Sequence, residues 1–319
     1  MSRVDKRGGD LGFRVATGLF GFILIAIVVA IGFELSRQSM LTVEKFGLDF
    51  WRTQTWDPIA GEFGAFPFIW GTLYSSIFAL VISTPIALGI AIFIAELCPA
   101  RFQKPLVFLT ELLAAIPSIV YGLWGFFVLV PAVRSLEQMT PESWRQFPLF
   151  TGPPFGVGML SAGLILAIMV IPFTSSVARE VLKSVPGAQR EGAYALGATR
   201  LEAIRAALFY ARTGIVGAVM LGFGRALGET MAVTMVIGNQ PKVSASLFAP
   251  QYTMAAVIAN EFTEAADSLY LSALVEIGLV LFTITLIVNL LSRLLIWSMA
   301  RSARGPRIVP AASTEVAAA

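Results

Sequence analysis

Six apolar runs, at residues 13–33, 68–95, 106–130, 155–177, 213–238 and 271–296, set the terms for any fold of this chain. A helix that crosses the hydrocarbon core of a bilayer needs roughly 20 apolar residues. Within lipid, only helices and closed barrels satisfy every backbone N–H and C=O. The sequence lacks the alternating apolar and polar strands of a barrel. The expectation is therefore an all-α, polytopic helical membrane protein with about six transmembrane helices. Composition agrees, since 56% of the 319 residues are hydrophobic, 13% are charged and mean hydropathy is +0.78. Soluble globular domains do not have this composition.

Residue types exclude several chemistries. The chain has no histidine, which removes Ser-His and Cys-His nucleophile pairs and histidine metal sites. Its one cysteine, Cys98, permits no internal disulfide and reads as a small apolar packing residue. No G-x-x-x-x-G-K-[ST] phosphate loop, H-E-x-x-H or G-x-S-x-G motif occurs. Basic residues do not cluster with aromatics as a nucleic-acid surface requires. The reading is of a chain without a catalytic site, a metal or a cofactor.

Residues 1–12 form a short basic N-terminus, and the first apolar run is too long for a cleaved leader. Residues 34–67 carry both charge signs and several aromatics, which suggests packing at a membrane interface. Pro85, Pro117 and Pro172 interrupt the second, third and fourth runs. Such prolines are tolerated where neighbouring helices satisfy the freed carbonyls. Residues 254–266 read as a short surface helix, and 301–319 as a small-residue tail. With the N-terminus inside, 16 of the 23 Lys and Arg fall on inner segments and six on outer ones, leaving Arg225 within the fifth span. That asymmetry satisfies the positive-inside rule and places both termini and the stretch 179–212 in the cytoplasm.

Residues 179–212 are polar and helix-forming, between two membrane runs. Pro186 and Gly187 break the chain as it leaves the fourth span, and 189–196 favours a short helix. Gly197 allows a turn, and Thr199 with Glu202 has capping-box spacing for a second helix over 200–210. Two short helices presented to water suit docking into a groove on another protein.

The fifth run carries Arg225 and Glu229, four apart, which on one helix face permits pairing. A charge at mid-bilayer costs roughly 2.5–3.5 kcal/mol on insertion scales and usually faces the bundle interior. Gly222, Gly224 and Gly228 let other helices approach. A buried ion pair that fixes packing is one reading. The other is an anion path, because a guanidinium forks onto phosphate oxygens with bidentate geometry. Thr230 and Thr234 offer hydroxyls, although backbone bonding within the helix also accounts for them. Glu276, near the outer end of the sixth run, reads as a snorkelled or partner-satisfied carboxylate. Tyr121 and Trp124 read as core or interface aromatics.

Glu191-Gly192-Ala193 followed by Gly197 resembles the EAA loop of ABC-importer permeases. Gly192 replaces the alanine of that loop, and Phe209-Tyr210 stand where Leu-Pro often closes it. The stretches 61–73 (GEFGAFPFIWGTL), 112–131 (LLAAIPSIVYGLWGFFVLVP) and 224–233 (GRALGETMAV) resemble the permease subunits of phosphate ABC importers, of PstC type. The match covers nearly the whole chain from about residue 56. The resemblance implies a type I importer permease fold, with the loop residues Glu191, Gly192, Ala193 and Gly197 coupling to a separate ATPase. It also implies substrate passage at Arg225, Glu229 and Thr230. The partners it implies are a second, PstA-like permease, an ATPase dimer, an outer substrate-binding protein and the lipid bilayer, with no nucleic acid. Import of another oxyanion such as sulfate or molybdate, or a phosphate-sensing membrane scaffold, are the alternatives.

Overall fold

The computed structural model describes residues 6–302, so the N-terminal residues 1–5 and nearly all of the expected tail at 301–319 lie outside the described residues. Among the described residues the architecture is helical, and β pairing is confined to the isolated bridges Asp57–Glu62 and Gly238–Gln251. The helices in order are α1 (Lys6–Gln38), α2 (Met40–Phe46), α3 (Phe66–Ile92), α4 (Ala100–Ala115), α5 (Ser118–Trp124), α6 (Val130–Met139) and α7 (Glu142–Arg145). They continue as α8 (Met159–Lys183), α9 (Gly187–Ala195), α10 (Arg200–Leu227), α11 (Met231–Thr234), α12 (Met254–Glu261) and α13 (Ser268–Ser302). Six stretches are long and apolar enough to cross a membrane: Leu11–Gln38, Phe66–Leu97, Ser118–Met139, Met159–Lys183, Arg200–Leu227 and Ser268–Met299.

Helix α8 is the centre of the bundle. Its best apolar window is 61% buried, whereas that of α1 is wholly uncovered. Small residues let its neighbours close on it. Gly163 leaves room for the Phe78 ring of α3, and Gly222 of α10 sits against Thr174. Gly214 lies against Val181, where an added Cβ would come within 2.6 Å of Cγ1. Close backbone approach at small residues is how helices associate without a hydrophobic driving force between them. One core joins α3, α8, α11 and the segment after it (Met159, Ile165, Leu166, Ile237, Phe248). A second joins α3, α8 and α10 (Ala91, Leu182, Ala207, Ile215).

The third membrane-length stretch starts later than the apolar run suggested. Helix α4 ends at Ala115, and Ile116 and Pro117 are extended (ψ 129° and 139°) before α5 begins. Proline lacks the N–H to continue the ladder and pushes the preceding residue out of the helical region. The Tyr121 hydroxyl donates to the Leu113 carbonyl across the break (2.8 Å). The fifth span also departs from the run at 213–238. Helix α10 stops at Leu227, and Gly228, Glu229 and Thr230 are unwound before the single turn of α11. Gly122 of α5 permits this turn, since a Cβ there would meet the Met235 sulfur at 2.8 Å and the Ala232 Cα at 3.1 Å.

Beyond α11 the chain reverses at Gly238 (φ 93°) and Asn239 (φ 50°). It then runs irregularly to α12 and is held by Trp70 Nε1 to the Ser244 carbonyl (2.9 Å) and Tyr74 Oη to the Ala245 carbonyl (2.8 Å). Irregular backbone within a membrane is tolerated where it is buried in protein or lines a water-filled cavity. The expected surface helix at 254–266 is shorter and not at the surface. Met254, Ala255, Ala256 and Val257 are buried, and Thr253 caps the helix by accepting the Ala256 N–H (3.3 Å). The aromatics of 34–67 pack chiefly on one another and on α12 and α13. Phe50, Phe63 and Phe68 are buried in a cluster with Trp56, Tyr252 and Tyr270. Burial raises the Tyr252 phenol above its usual range, with the Asn260 amide donating to it (3.0 Å).

Candidate translocation and coupling sites

Arg225 lies in the last turn of α10 and is exposed on the surface of this chain. Its guanidinium sits over the Phe173 ring of α8, 5.6 Å from the centroid, and within electrostatic reach of Tyr121. A cation there also suits the negative end of the helix dipole. Glu229 does not share a helix face with Arg225, because the helix has ended. No ion pair joins them among the described residues. Instead Glu229 Oε1 accepts the Ala232 N–H (3.3 Å) and closes the break from the far side. Thr230 stands at the N-cap of α11; its hydroxyl donates to the Gly228 carbonyl at 3.4 Å, and its own carbonyl accepts the Thr234 N–H and hydroxyl (3.0 and 2.7 Å). The three residues are thus neighbours on one unwound corner, with the guanidinium left uncommitted.

Glu276 does not snorkel to the surface of this chain: it is 2% exposed, and among the described residues its Oε2 has no hydrogen-bond partner. Tyr121 is half-buried and Trp124 is exposed.

The polar stretch folds as expected into two helices, α9 and the first turns of α10. Pro186 caps α9 with an extended backbone (ψ 136°), and Gly197 makes the turn at φ 81°, which favours glycine. Glu202 accepts both the Thr199 N–H and the Thr199 hydroxyl (2.8 Å each), fixing the start of α10. Helix α10 then runs unbroken into the fifth span, without a stop near 210. Glu191 and Gly192 are exposed and Ala193 is half-buried. Leu196 is 90% exposed at the tip, with Tyr194 and Leu201 exposed beside it.

Sequence reasoning missed what anchors this hairpin. Arg190, the residue before Glu191, reaches Glu96 at the end of the α3 stretch. Its Nε donates to both carboxylate oxygens (3.2 Å each), and its Nη2 meets Oε1 more closely still. The same guanidinium donates to the Val185 and Leu182 carbonyls (3.0 Å each). Arg200 donates to the Glu96 carbonyl (2.7 Å). No periodic signal links residues 94 apart. The one hint was an isolated carboxylate at the end of an apolar run.

Residues 87–301 match the model of the binding-protein-dependent transport system inner membrane component family. The chain belongs to that family. Among its relatives, the phosphate transport system permease protein PstC of Mesorhizobium japonicum is 43% identical over 290 residues, covering 89% of each chain. The protein of the same name from Haemophilus influenzae is 46% identical over 293 residues, covering 90% of this chain and 93% of its own. That from Methanocaldococcus jannaschii, named a probable PstC, is 39% identical over 276 residues, covering 84% of this chain and 87% of its own. A methionine ABC transporter, MetNI, solved in inward facing conformations, superposes with a TM-score of 0.54. It covers 73% of this chain and 94% of its own at 14% identity, a likeness of fold. Membership in a family of inner membrane components makes this a multi-pass membrane transport protein, consistent with its six membrane-length helices.

Proposed function

We propose that the chain is a permease subunit of an ATP-driven importer of inorganic phosphate, forming half of the path through the plasma (inner) membrane. The observation that carries the reading is Arg225. It is a permanently charged fork at a helix break, bound to no carboxylate and open on the face of the chain. Similarity to PstC proteins at 43–46% identity over about 90% of the chain supplies the anion. A second, PstA-like permease closes the path on the open side and contributes the remaining ligands. A phosphate in passage takes the bidentate face of Arg225, while Glu229, tied to the Ala232 N–H, holds the corner and repels an anion that strays towards it. The Thr230 hydroxyl donates beside them once released from the Gly228 carbonyl.

The hairpin at 179–212 faces the cytoplasm, as do both termini. It inserts the tip around Glu191, Gly192, Ala193 and Gly197 into a cleft of an ATPase subunit, one of a pair. A substrate-binding protein delivers phosphate on the outer face. Closure of the ATPase pair on ATP moves the hairpins and re-aims the spans, a shift between two packed states. This chain contributes no ATP chemistry.

The test combines assembly with uptake. Co-purification of the ATPase with this chain, and loss of phosphate uptake in Arg225→Ala with the complex still assembled, are the expected results. A complex that fails to form without Arg225 makes the guanidinium a packing element. A chain that binds no ATPase would be a scaffold or sensor.

A further inference from the structure

The hairpin is not a free-standing arm. Its first helix begins at Gly187, directly after the fourth span, and its second limb is the start of α10. The base is packed through Val185, Ala203, Ile204 and Ala207, while Tyr194, Leu196 and Leu201 at the tip are exposed. Charged groups add further ties. Arg190 makes hydrogen bonds to three residues, two of them the Leu182 and Val185 carbonyls at the end of α8. The third is the Glu96 carboxylate, which the Arg190 fork grips with both Nε and Nη2. Arg200, at the start of the second hairpin helix, holds the Glu96 backbone. Both limbs of the hairpin therefore close on one residue, Glu96, in the turn that follows α3.

That residue is in an unusual place. Residues Phe93–Leu97 form a π turn that ends α3, after which Cys98 is extended (ψ 131°) and Pro99 starts α4. Such turns are concentrated at functional sites. This one aims Glu96 at the hairpin. The pair is largely shielded, with side-chain exposures of 24% for Arg190 and 10% for Glu96. Charge-assisted, bidentate bonds away from water are the strong ones. Moreover, α3 carries a displacement far. It packs chiefly against α8, and at its other end Trp70 and Tyr74 hold the irregular segment that follows α11.

We propose that Glu96 and Arg190 are the latch that transmits motion of the ATPase-facing hairpin to α3, and so are positioning residues for transport. Neither touches the anion. The proposal rests on the importer reading and adds the internal route by which the hairpin drives the spans. Breaking the latch leaves the hairpin seated in the ATPase but slack against the membrane helices, so hydrolysis continues while uptake falls.

The experiment uses the whole complex in proteoliposomes, reading labelled phosphate uptake and ATP hydrolysis in the same preparation. The variants are Glu96→Arg, Arg190→Glu, the double reversal, and Arg190→Lys, which keeps the charge but loses the fork. Each single reversal is expected to assemble, to hydrolyse ATP and to lower the phosphate moved per ATP by about tenfold or more. Arg190→Lys should fall between wild type and Arg190→Glu, and the double reversal should recover part of the lost ratio. Unchanged transport ratios in the single reversals overturn the latch, and so does an equal loss in the double reversal. Failure of every variant to assemble makes the pair a folding element and also overturns it. A wild-type complex that moves no phosphate would instead sink the importer reading itself.

Discussion

Residue by residue, the informative side chains are those whose partners the sequence did not announce. Arg225 and Glu229 were legible as unusual charges in an apolar run, but their relation was not. Spacing by four implies one helical face only while the helix lasts, and here it ends at Leu227. Glu229 accepts the Ala232 N–H and makes no ion pair with Arg225 among the described residues. The two should therefore respond differently to mutation. Arg225→Lys keeps the charge but loses the bidentate fork, and a lost charge-assisted bond costs about 1.5–3 kcal/mol. Uptake should then fall by roughly 10- to 150-fold, measured as initial rate in assembled proteoliposomes. Glu229→Gln retains an acceptor for Ala232 and should cost much less than Glu229→Ala. Equal losses in the two would mean that the Glu229 charge, not its cap, is what matters. At the tip, Glu191→Lys should leave hydrolysis running and uncouple it from uptake; unchanged coupling would remove Glu191 from contact with the ATPase.

The elements themselves were largely readable, and their ends were not. Apolar length gave six spans, and the Pro-Gly and Thr-x-x-Glu signals gave both helices of the hairpin. Pro117 was visible as an interruption, yet it proves to be the boundary between α4 and α5, since the extended Ile116 and Pro117 redirect the chain. The end of α10 carries no proline. Gly228 stands at its C-cap, a local stop signal, but the turn that follows fits against α5 only because Gly122 lacks a side chain, a contact 110 residues distant in sequence. Two glycines of the hairpin separate local from tertiary effects. Gly192 has nothing within 4 Å of a built Cβ, so Gly192→Ala should stabilise α9 by about 1 kcal/mol. Gly197 adopts φ 81°, and Gly197→Ala should cost about 1–2 kcal/mol in that left-handed conformation. Amide exchange in 187–200 should slow in the first variant and quicken in the second. In the spans, Gly71→Ala places a methyl against the Tyr252 carbonyl, and Gly163→Ala places one against the Phe78 ring. Both should lower the melting temperature in detergent, by overpacking worth about 1–3 kcal/mol.

For the molecule as a whole, the division between buried and uncovered helices is the main result that composition did not supply. Helix α8 is enclosed, while α1, α4 and the outer face of α5 show rows of large apolar side chains. Under the proposed function, such a chain is half of a path, with lipid on one side and a companion permease on the other. Arg225 and the hairpin tip with Leu196 are both exposed on this chain. The proposed function joins an anion path at one level to an ATPase contact at another, through α8 and α3. It is tested most directly by ATP-dependent uptake of labelled phosphate into proteoliposomes holding the assembled complex and its binding protein, with excess sulfate as competitor. The account predicts uptake that requires ATP and that sulfate leaves untouched. Uptake abolished by sulfate would contradict the phosphate assignment, and no uptake despite a bound, active ATPase would contradict the permease itself.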